Sequence, residues 1–391
     1  MTAARTPPHI LTLILLSGMG ALTMNVFLPS VPGMARDFGV DYALMQLSVT
    51  AYLAASAVVQ LLVGPLSDRW GRRPVMLWCL AIFLLATLGT LLAQTATLFL
   101  VFRMIQAAVA AGMVLSRAIV RDMVAGDAAA SRIGYVTMGM SVVPMIAPVL
   151  GGVIDEALGW RATFVLMGVA GLAMMALVWV DMGETATGSG LSMRQQIASY
   201  PVLARSARFW GYALAATTSS GAFFAYVGGA PFVGDQVFNL RPSEVGYWFA
   251  APSIGYMLGN FASGRWSMKF GMNPMILTGC IICVVALSIS LIADLSGLHH
   301  PLAFFGAVAV MGLGNGLVLP NANAGMMSAH PELAGTASGL GGALAVAGGA
   351  GLAGLAGAFL VPGAGATPLL VIMVASALGS LLSILTVMRL R

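Results

Sequence analysis

Residues 60–74 read QLLVGPLSDRWGRRP and residues 260–274 read NFASGRWSMKFGMNP. Set at an offset of 200, they align Gly64 with Gly264, Ser67 with Ser267, Gly71 with Gly271 and Pro74 with Pro274, and Arg69 faces Lys269. Glycine is abundant in this chain, so a single match means little. Four identities in one fifteen-residue window, at loops that hold the same place in the order of apolar runs, indicate a duplication. The copies differ in charge: Asp68 becomes Met268 and Arg72 becomes Met272, so one half alone keeps the charged form of the loop.

Outward from these loops the chain is apolar. Of 391 residues, 59% are hydrophobic and 8% charged, and mean hydropathy is +0.94; soluble domains carry about 25% charged residues. The apolar runs are long and continuous rather than ten-residue pieces of alternating pattern. That excludes an outer-membrane barrel and leaves a helical bundle, the other structure that satisfies every backbone polar group in lipid. At about 20 residues per span, the spans are predicted at 9–30, 43–66, 74–94, 98–121, 131–154 and 161–181, then at 208–230, 243–268, 273–294, 301–326, 334–358 and 366–388. The predicted fold class is an all-α integral membrane protein of twelve transmembrane helices. It comprises two six-helix bundles, residues 1–181 and 208–391, joined by a cytoplasmic linker over 182–207. A parallel duplication of this kind places a site between the halves, near the midplane.

Thirteen of the eighteen Lys/Arg fall in the termini and the even-to-odd loops: Arg5, Arg69, Arg72, Arg73, Arg121, Arg132, Arg194, Arg205, Arg208, Arg265, Lys269, Arg389 and Arg391. The opposite side holds Arg36, Arg161 and Arg241. By the positive-inside rule both termini are cytoplasmic. The formal charge of +5 then reflects orientation, and no nucleic-acid partner is expected.

Other chemistries find few residues to work with. Cys79, Cys280 and Cys283 lie inside apolar runs, so Cys280-x-x-Cys283 reads as helix packing and not as a redox or thiolate metal site. His9, His299, His300 and His330 lie near span ends and form no HExxH, which argues against a zinc membrane protease. The one lysine, Lys269, belongs to no phosphate loop. Gly349-Ala-Gly351-Leu-Ala-Gly354 spells GxGxxG without a preceding strand and reads as close helix packing. No cofactor and no metal are expected, and an intramembrane enzyme would lack a nucleophile–base pair at depth. The N-terminal MTAARTPPHI has too few basic residues for a signal peptide, so the first span is expected to be retained.

GPLSDRWGRRP at Gly64–Pro74 resembles the loop between spans 2 and 3 that marks the major facilitator superfamily. Arg103-Met-Ile-Gln106, and Gly139-Met-Ser-Val-Val-Pro144-Met-Ile-Ala-Pro148-Val-Leu-Gly151-Gly152, resemble its span-4 arginine motif and the antiporter motif of drug exporters. Arg117-Ala-Ile-Val-Arg121-Asp122, Tyr226-Val-Gly-Gly-Ala-Pro231-Phe-Val, and Leu319-Pro320-Asn321 followed by Ala334-Gly335-Thr336-Ala337-Ser338-Gly339 are similar to the bicyclomycin/chloramphenicol-resistance (Bcr/CflA) branch. The match runs across essentially the whole chain. It implies a secondary transporter in a bacterial cytoplasmic membrane that exports small amphipathic molecules, drugs or metabolites, by rocking two bundles around a central cavity. Its expected partners are a small-molecule substrate, protons and the lipid bilayer, and a monomer is expected. The resemblance further implies that Asp68 and Arg72, in a motif with Gly64, Arg69, Gly71 and Arg73, cluster with Asp122 to latch the outward-facing state. Asp68 also lies within reach of helix N-termini on that face, such as span 11 beginning near Gly335. Span 5, thinned by Gly139, Pro144, Pro148, Gly151 and Gly152, is implied to seal against span 8 when the protein faces inward.

Charges at depth are expensive and therefore informative. Arg103 lies five residues into its predicted span, about 7.5 Å deep, and Asn25 lies at similar depth in span 1; the two are expected to face one cavity. Superfamily architecture, which points to spans 1, 4, 7 and 10, adds Gln106, Met113, Phe223, Tyr226, Asn315 and Asn321 as substrate-binding candidates. In the Bcr/CflA pattern the residue three before the span-1 Leu-Pro is usually aspartate. In Met24-Asn25-Val26-Phe27-Leu28-Pro29 it is Asn25, which cannot titrate. Two readings follow: proton coupling through an acid at a span end, with Asp37, Asp68 and Asp122 the candidates, or transport driven by a substrate gradient or exchange. For Arg103 two readings also stand. Without a counter-ion it favours an anionic, zwitterionic or acceptor-rich substrate and repels a lipophilic cation, or it is bonded to backbone carbonyls or snorkelled.

Overall fold

The computed structural model describes residues 7–124, 126–186, 201–330, 333–361 and 363–389. Twelve long helices follow in order: α1 (Ile10–Phe38), α2 (Tyr42–Trp70), α3 (Arg72–Leu92), α4 (Ala96–Met123), α5 (Gly126–Leu158), α6 (Arg161–Asp181), α7 (Ala207–Phe232), α8 (Pro242–Phe270), α9 (Met272–Leu295), α10 (Pro301–Ala329), α11 (Ala334–Phe359) and α12 (Thr367–Arg389). Six precede and six follow residues 187–200, which carry most of the expected linker and lie outside the described residues, as do Arg5, Arg194 and Arg391.

The duplicated loop is realised in the backbone. α2 and α8 each stop at a glycine of positive φ, Gly71 at 96° and Gly271 at 85°, a region open to glycine and costly for other residues. Each glycine N–H is bonded to the aligned serine's carbonyl, Ser67 at 2.9 Å and Ser267 at 2.8 Å. The next helix then starts at once. A one-residue turn fixes α2 against α3 and α8 against α9 as antiparallel neighbours.

Several helices depart from regularity where the sequence dictates it. α1 runs well past the predicted end at 30. Pro29 and Pro32 lack N–H groups, so the chain passes through a short 3₁₀ stretch, Leu28–Ser30, and resumes as a helix over Val31–Phe38. α4 tightens to 3₁₀ over Gln106–Ala110, and α7 ends in a π turn, Val233–Val237, after Pro231.

Residues near 10 and 389 mark the terminal end of the bundle; the other end is the distal end. At the distal end the two sets of helices close on each other. Gly152 of α5 packs on the backbone of Pro242 and Ser243, and Gly246 of α8 packs on that of Pro148 and Val149. On α2, Tyr42, Gln46 and Thr50 recur every four residues and so share one face. The Tyr42 hydroxyl donates to Gly228 O of α7 (2.5 Å), Gln46 Nε2 donates to Ala353 O of α11 (2.7 Å), and Thr50 packs against Gly354. A Cβ at Gly357 would fall 1.9 Å from Gln46 Oε1, so glycine makes the slot that Gln46 fills. Two ion pairs also cross the seam there, Arg36–Asp235 (2.7 Å) and Glu156–Arg241 (3.0 Å). The Arg36–Asp235, Tyr42–Gly228, Gln46–Ala353 and Arg241–Glu156 contacts that join the two sets all lie at this end. Toward the terminal end, side chains added at Gly64 of α2 or Gly339 of α11 would meet open space.

Candidate functional site

A cavity of about 300 Å³ lies beneath the distal seal. Along four helices the order is the same: seal residues first, cavity residues within about three turns further toward the terminal end. On α2, Tyr42–Thr50 give way to Tyr52, Ser56 and Gln60; on α5, Gly152 and Pro148 give way to Pro144 and Met140. On α8, Gly246 gives way to Pro252, Ser253 and Tyr256; on α11, Gly354 gives way to Val346. α1 adds Met24 and Asn25, α4 adds Met113, α7 adds Ser220, Phe223 and Phe224, and α10 adds Asn315 and Leu319. Eight helices, not four, therefore line the site. Its walls are aromatic rings and methionines with amides and hydroxyls between them, and none of the residues lining it is charged.

Asn25, Met113, Phe223 and Asn315, from the expected contact set, meet at this cavity. The other four do not line it. Arg103 is fully buried behind the wall. Its Nε donates to Ser48 O (3.2 Å), Nη1 to Gln106 Oε1 (2.8 Å) and Nη2 to Thr23 O (2.8 Å). The guanidinium carbon lies 4.2 Å from the Phe27 ring centre and 4.1 Å from that of Tyr52, so rings cover both faces as hydrogen bonds fill the edge. The break in α1 explains the geometry. The last α-helical bond there runs from Val26 N to Leu22 O (2.9 Å), and the next carbonyl, Thr23 O, takes its hydrogen bond from Arg103 instead. Of the two readings, the structure takes the one in which Arg103 is bonded to backbone carbonyls, and the shared-cavity expectation for Asn25 and Arg103 is corrected on that ground. Gln106 is spent between Arg103 and Thr87 Oγ1 (2.8 Å). Tyr226 is buried among Phe249, Phe304 and Phe305, and Asn321 ties α10 to Ser263 of α8 at 2.8 Å.

The charged loop at the terminal end forms a compact cluster. Arg72 Nη1 reaches Asp68 (2.5 Å) and Ser67 Oγ (2.6 Å), and its Nε donates to Asp122 of α4 (2.9 Å). Glu184, just past α6, accepts from the backbone N–H of Arg72 (2.8 Å) and of Arg73 (3.3 Å). That carboxylate caps the start of α3, where helix N–H groups are unpaired. Gly71 leaves it room: a Cβ there would fall 2.3 Å from Glu184 Oε2. Arg73 donates to Trp179 O (2.8 Å), while Arg69 points out to solvent. Asp68, Arg72 and Asp122 thus assemble within one set of helices while the distal end is the closed one. Because Arg72 bridges two acids, Arg72→Leu should lower the thermal midpoint more than Asp122→Asn, whose loss of one charged hydrogen bond is worth about 1–2 kcal/mol. Melting curves of the two purified variants would check this; equal midpoints would contradict the bridging role.

In the antiporter stretch of α5, Pro144 lines the cavity and Gly139 packs on Ile14 of α1. Gly151 and Gly152 face opposite ways: the first lies on the backbone of Val26 in α1, the second on Pro242 of α8. Pro148 presents its carbonyl to Gly246.

A twelve-helix bundle with a cavity between two sixfold sets is the architecture of a secondary transporter. Residues 13–354 match the family model described as Major Facilitator Superfamily, and the chain belongs to that superfamily. It is 32% identical to a chloramphenicol resistance protein of Pseudomonas aeruginosa over 85% of this chain and 81% of that one. It is 30% identical to multidrug resistance protein D of Escherichia coli (strain K12), covering 88% and 87% of the two. These relatives sit in the branch its motifs resemble. In fold it is similar to the peptide transporter POT (TM-score 0.79, 14% identity, 97% and 94% covered). It is likewise similar to a bacterial homologue of the human lysosomal transporter Spinster (TM-score 0.76, 18% identity, 97% and 95% covered). The chain is a multi-pass membrane transporter and not an enzyme.

Proposed function

We propose that this chain exports small amphipathic drugs or metabolites across a bacterial cytoplasmic membrane by alternating access, as a proton-coupled monomer with both termini in the cytoplasm. In that orientation the distal end is periplasmic and the structure is its inward-facing state. The observation that carries the reading is the order of seal and cavity along α2, α5, α8 and α11: one gate is shut by contacts between helix sets, and the pocket lies immediately behind it. Residues 1–181 and 208–391 would rock as two units about Asn25, Met113, Phe223 and Asn315 as substrate contacts. Arg103, Gln106, Tyr226 and Asn321 would hold the walls, and Asp68, Arg72 and Asp122 would steady the cytoplasmic end.

A second reading, uncoupled facilitation or exchange of an anionic or zwitterionic metabolite, is favoured by one observation: no carboxylate lines the cavity. The acids proposed to couple lie elsewhere. Asp37 is held by Trp160 Nε1 (3.0 Å) and Arg161 (2.8 Å), and Asp68 and Asp122 share Arg72. Proteoliposomes loaded with substrate decide between them. An imposed pH gradient should accelerate substrate flux out of the compartment facing the cytoplasmic end, and equal fluxes with and without it would leave the facilitator.

Asn25 supplies a further prediction. Its Nδ2 donates to Ala21 O (2.7 Å). In Asn25→Asp the protonated carboxyl can donate there too, while the ionised form cannot and leaves a negative charge facing the cavity. Transport of a lipophilic cation by this variant should therefore rise with pH. A pH profile identical to that of the parent protein would count against this position as a coupling site.

A further inference from the structure

We infer that the outer face of α8 binds an anionic phospholipid of the cytoplasmic leaflet, its phosphate between Arg265 and Lys269 and its acyl chains along the span beside them. The leaflet, though not the binding, rests on the orientation proposed above. The contrast between the two copies of the duplicated loop points to this site. In the first copy the cations are engaged: Arg72 is shared by Asp68 and Asp122, and Arg73 donates to Trp179 O (2.8 Å). In the second, Met268 stands where the first has Asp68 and is 99% exposed, so Lys269 has no acid beside it. The second loop has lost the charge that makes a latch and kept one that can bind an anion.

Helical spacing places the rest of the site. Ile254, Leu258, Phe261, Arg265 and Lys269 recur at steps of three or four residues and so share one face of α8. All five are exposed. That face is turned away from the cavity, which α8 meets through Pro252, Ser253 and Tyr256. An exposed apolar strip that ends in two cations matches the layout of a phospholipid, chains within the bilayer and phosphate at its edge. Trp266 and Phe270, half-exposed in the same two turns, mark the headgroup level. Lys269 lies over the Phe270 ring (5.3 Å), and among the described residues neither cation pairs with an acid. The rest of this end is basic too. Gly211 of α7 packs on Val387 of α12, which brings together the helix ends that bear Arg208 and Arg389. Tyr212 donates to Asn273 Oδ1 (2.8 Å) and so ties the start of α7 to the start of α9, just after Lys269. Of the four acids after residue 207, Asp235, Glu244 and Asp294 lie at the distal end and Glu332 lies outside the described residues. Like charges gathered without an acid repel one another, and a bound phosphodiester relieves that repulsion.

The test titrates the full chain in a neutral detergent with phosphatidylglycerol, or with phosphatidylcholine of the same acyl chains, and counts bound lipid by native mass spectrometry. Phosphatidylglycerol should bind at least about fivefold tighter, the worth of one basic residue at an anionic surface. The preference should shrink at high salt. Arg265→Gln combined with Lys269→Gln should lower it by about fivefold or more, whereas Arg69→Gln, at the exposed cation of the first copy, should leave it as it is. Equal binding of the two lipids by the unmodified protein, a double variant that keeps the preference, an equal loss in Arg69→Gln, or displacement of phosphatidylglycerol by the same concentration of inorganic phosphate would overturn the inference. The lipid comparison needs no variant to fold. It also reads no flux, so its failure leaves the transport reading standing, and a protein without flux can still show the lipid preference. Labelling of Met268→Cys on intact cells by a membrane-impermeant maleimide would overturn the orientation, and with it the leaflet.

Discussion

Gly152→Val should abolish transport in a protein that still folds and still holds its cavity. A Cβ at Gly152 would fall 2.3 Å from Pro242 O and 2.8 Å from Ser243 Cα, and one at Gly246 would fall 2.4 Å from Pro148 O. These obstacles are backbone atoms, which no rotamer change can move aside, so α5 and α8 must part. The polar contacts that oppose parting are few: the Tyr42–Gly228 and Gln46–Ala353 hydrogen bonds are worth about 0.5–1.5 kcal/mol each. The Arg36–Asp235 and Glu156–Arg241 pairs lie at the surface, where such a pair is worth about 0–1 kcal/mol. Overpacking costs about 1–3 kcal/mol, which depopulates the sealed state by about 5- to 150-fold. Gly151 is the internal control. A Cβ there would meet Val26 O of α1 at 1.5 Å, inside one set of helices, so Gly151→Ala should lower the melting temperature whichever gate is open. Labelling of Ser253→Cys by a membrane-impermeant maleimide from the distal side checks the distinction. Gly152→Val should expose that cysteine, and a shielded cysteine with normal transport would show that the crossing tolerates bulk.

The twelve spans and the duplication were legible because lipid imposes them: long apolar runs, and a Ser67–Gly71 turn repeated as Ser267–Gly271 with the same positive φ. What the spans face was less legible. Tyr52, Gln60 and Tyr256 line the cavity from α2 and α8, helices to which the sequence reading assigned no contact residues, because a polar side chain in a span looks alike whether it meets substrate or a partner helix. A signal did exist for the seal. Tyr42, Gln46 and Thr50 form an i, i+4, i+8 polar stripe at the start of α2; Tyr42 meets Gly228 of α7, while Gln46 and Thr50 meet Ala353, Gly354 and Gly357 of α11, at the end of the small-residue run that spells GxGxxG. Glu184 gave no signal, since it lies beyond the last span of its half and reaches the α3 start only through the fold. For Arg103 the decisive residues were Leu28-Pro29. By breaking α1 they expose a carbonyl in hydrocarbon, and a nearby guanidinium is the donor that satisfies it.

That assignment makes Arg103→Lys the sharper of the remaining substitutions, because it preserves charge and removes geometry. The guanidinium fork serves three acceptors from three helices, Thr23 O of α1, Ser48 O of α2 and Gln106 Oε1 of its own helix, and lies flat between two rings. A single ammonium lacks the flat fork that reaches all three at once and stacks less well. Two acceptors left unpaired in the interior cost about 1–3 kcal/mol each, a large share of a typical stability of about 5–15 kcal/mol. Arg103→Lys should therefore lower the melting temperature and cut transport by at least about tenfold, as the α1 break shifts and carries Asn25 out of register with Asn315. Gln106→Leu removes one acceptor and the bond to Thr87 Oγ1 (2.8 Å) and should fall between that variant and the parent. Were the charge itself what the transporter uses, lysine would serve as well as arginine. A lysine variant that melts and transports like the parent would return Arg103 from the architecture of α1 to the electrostatics of the substrate.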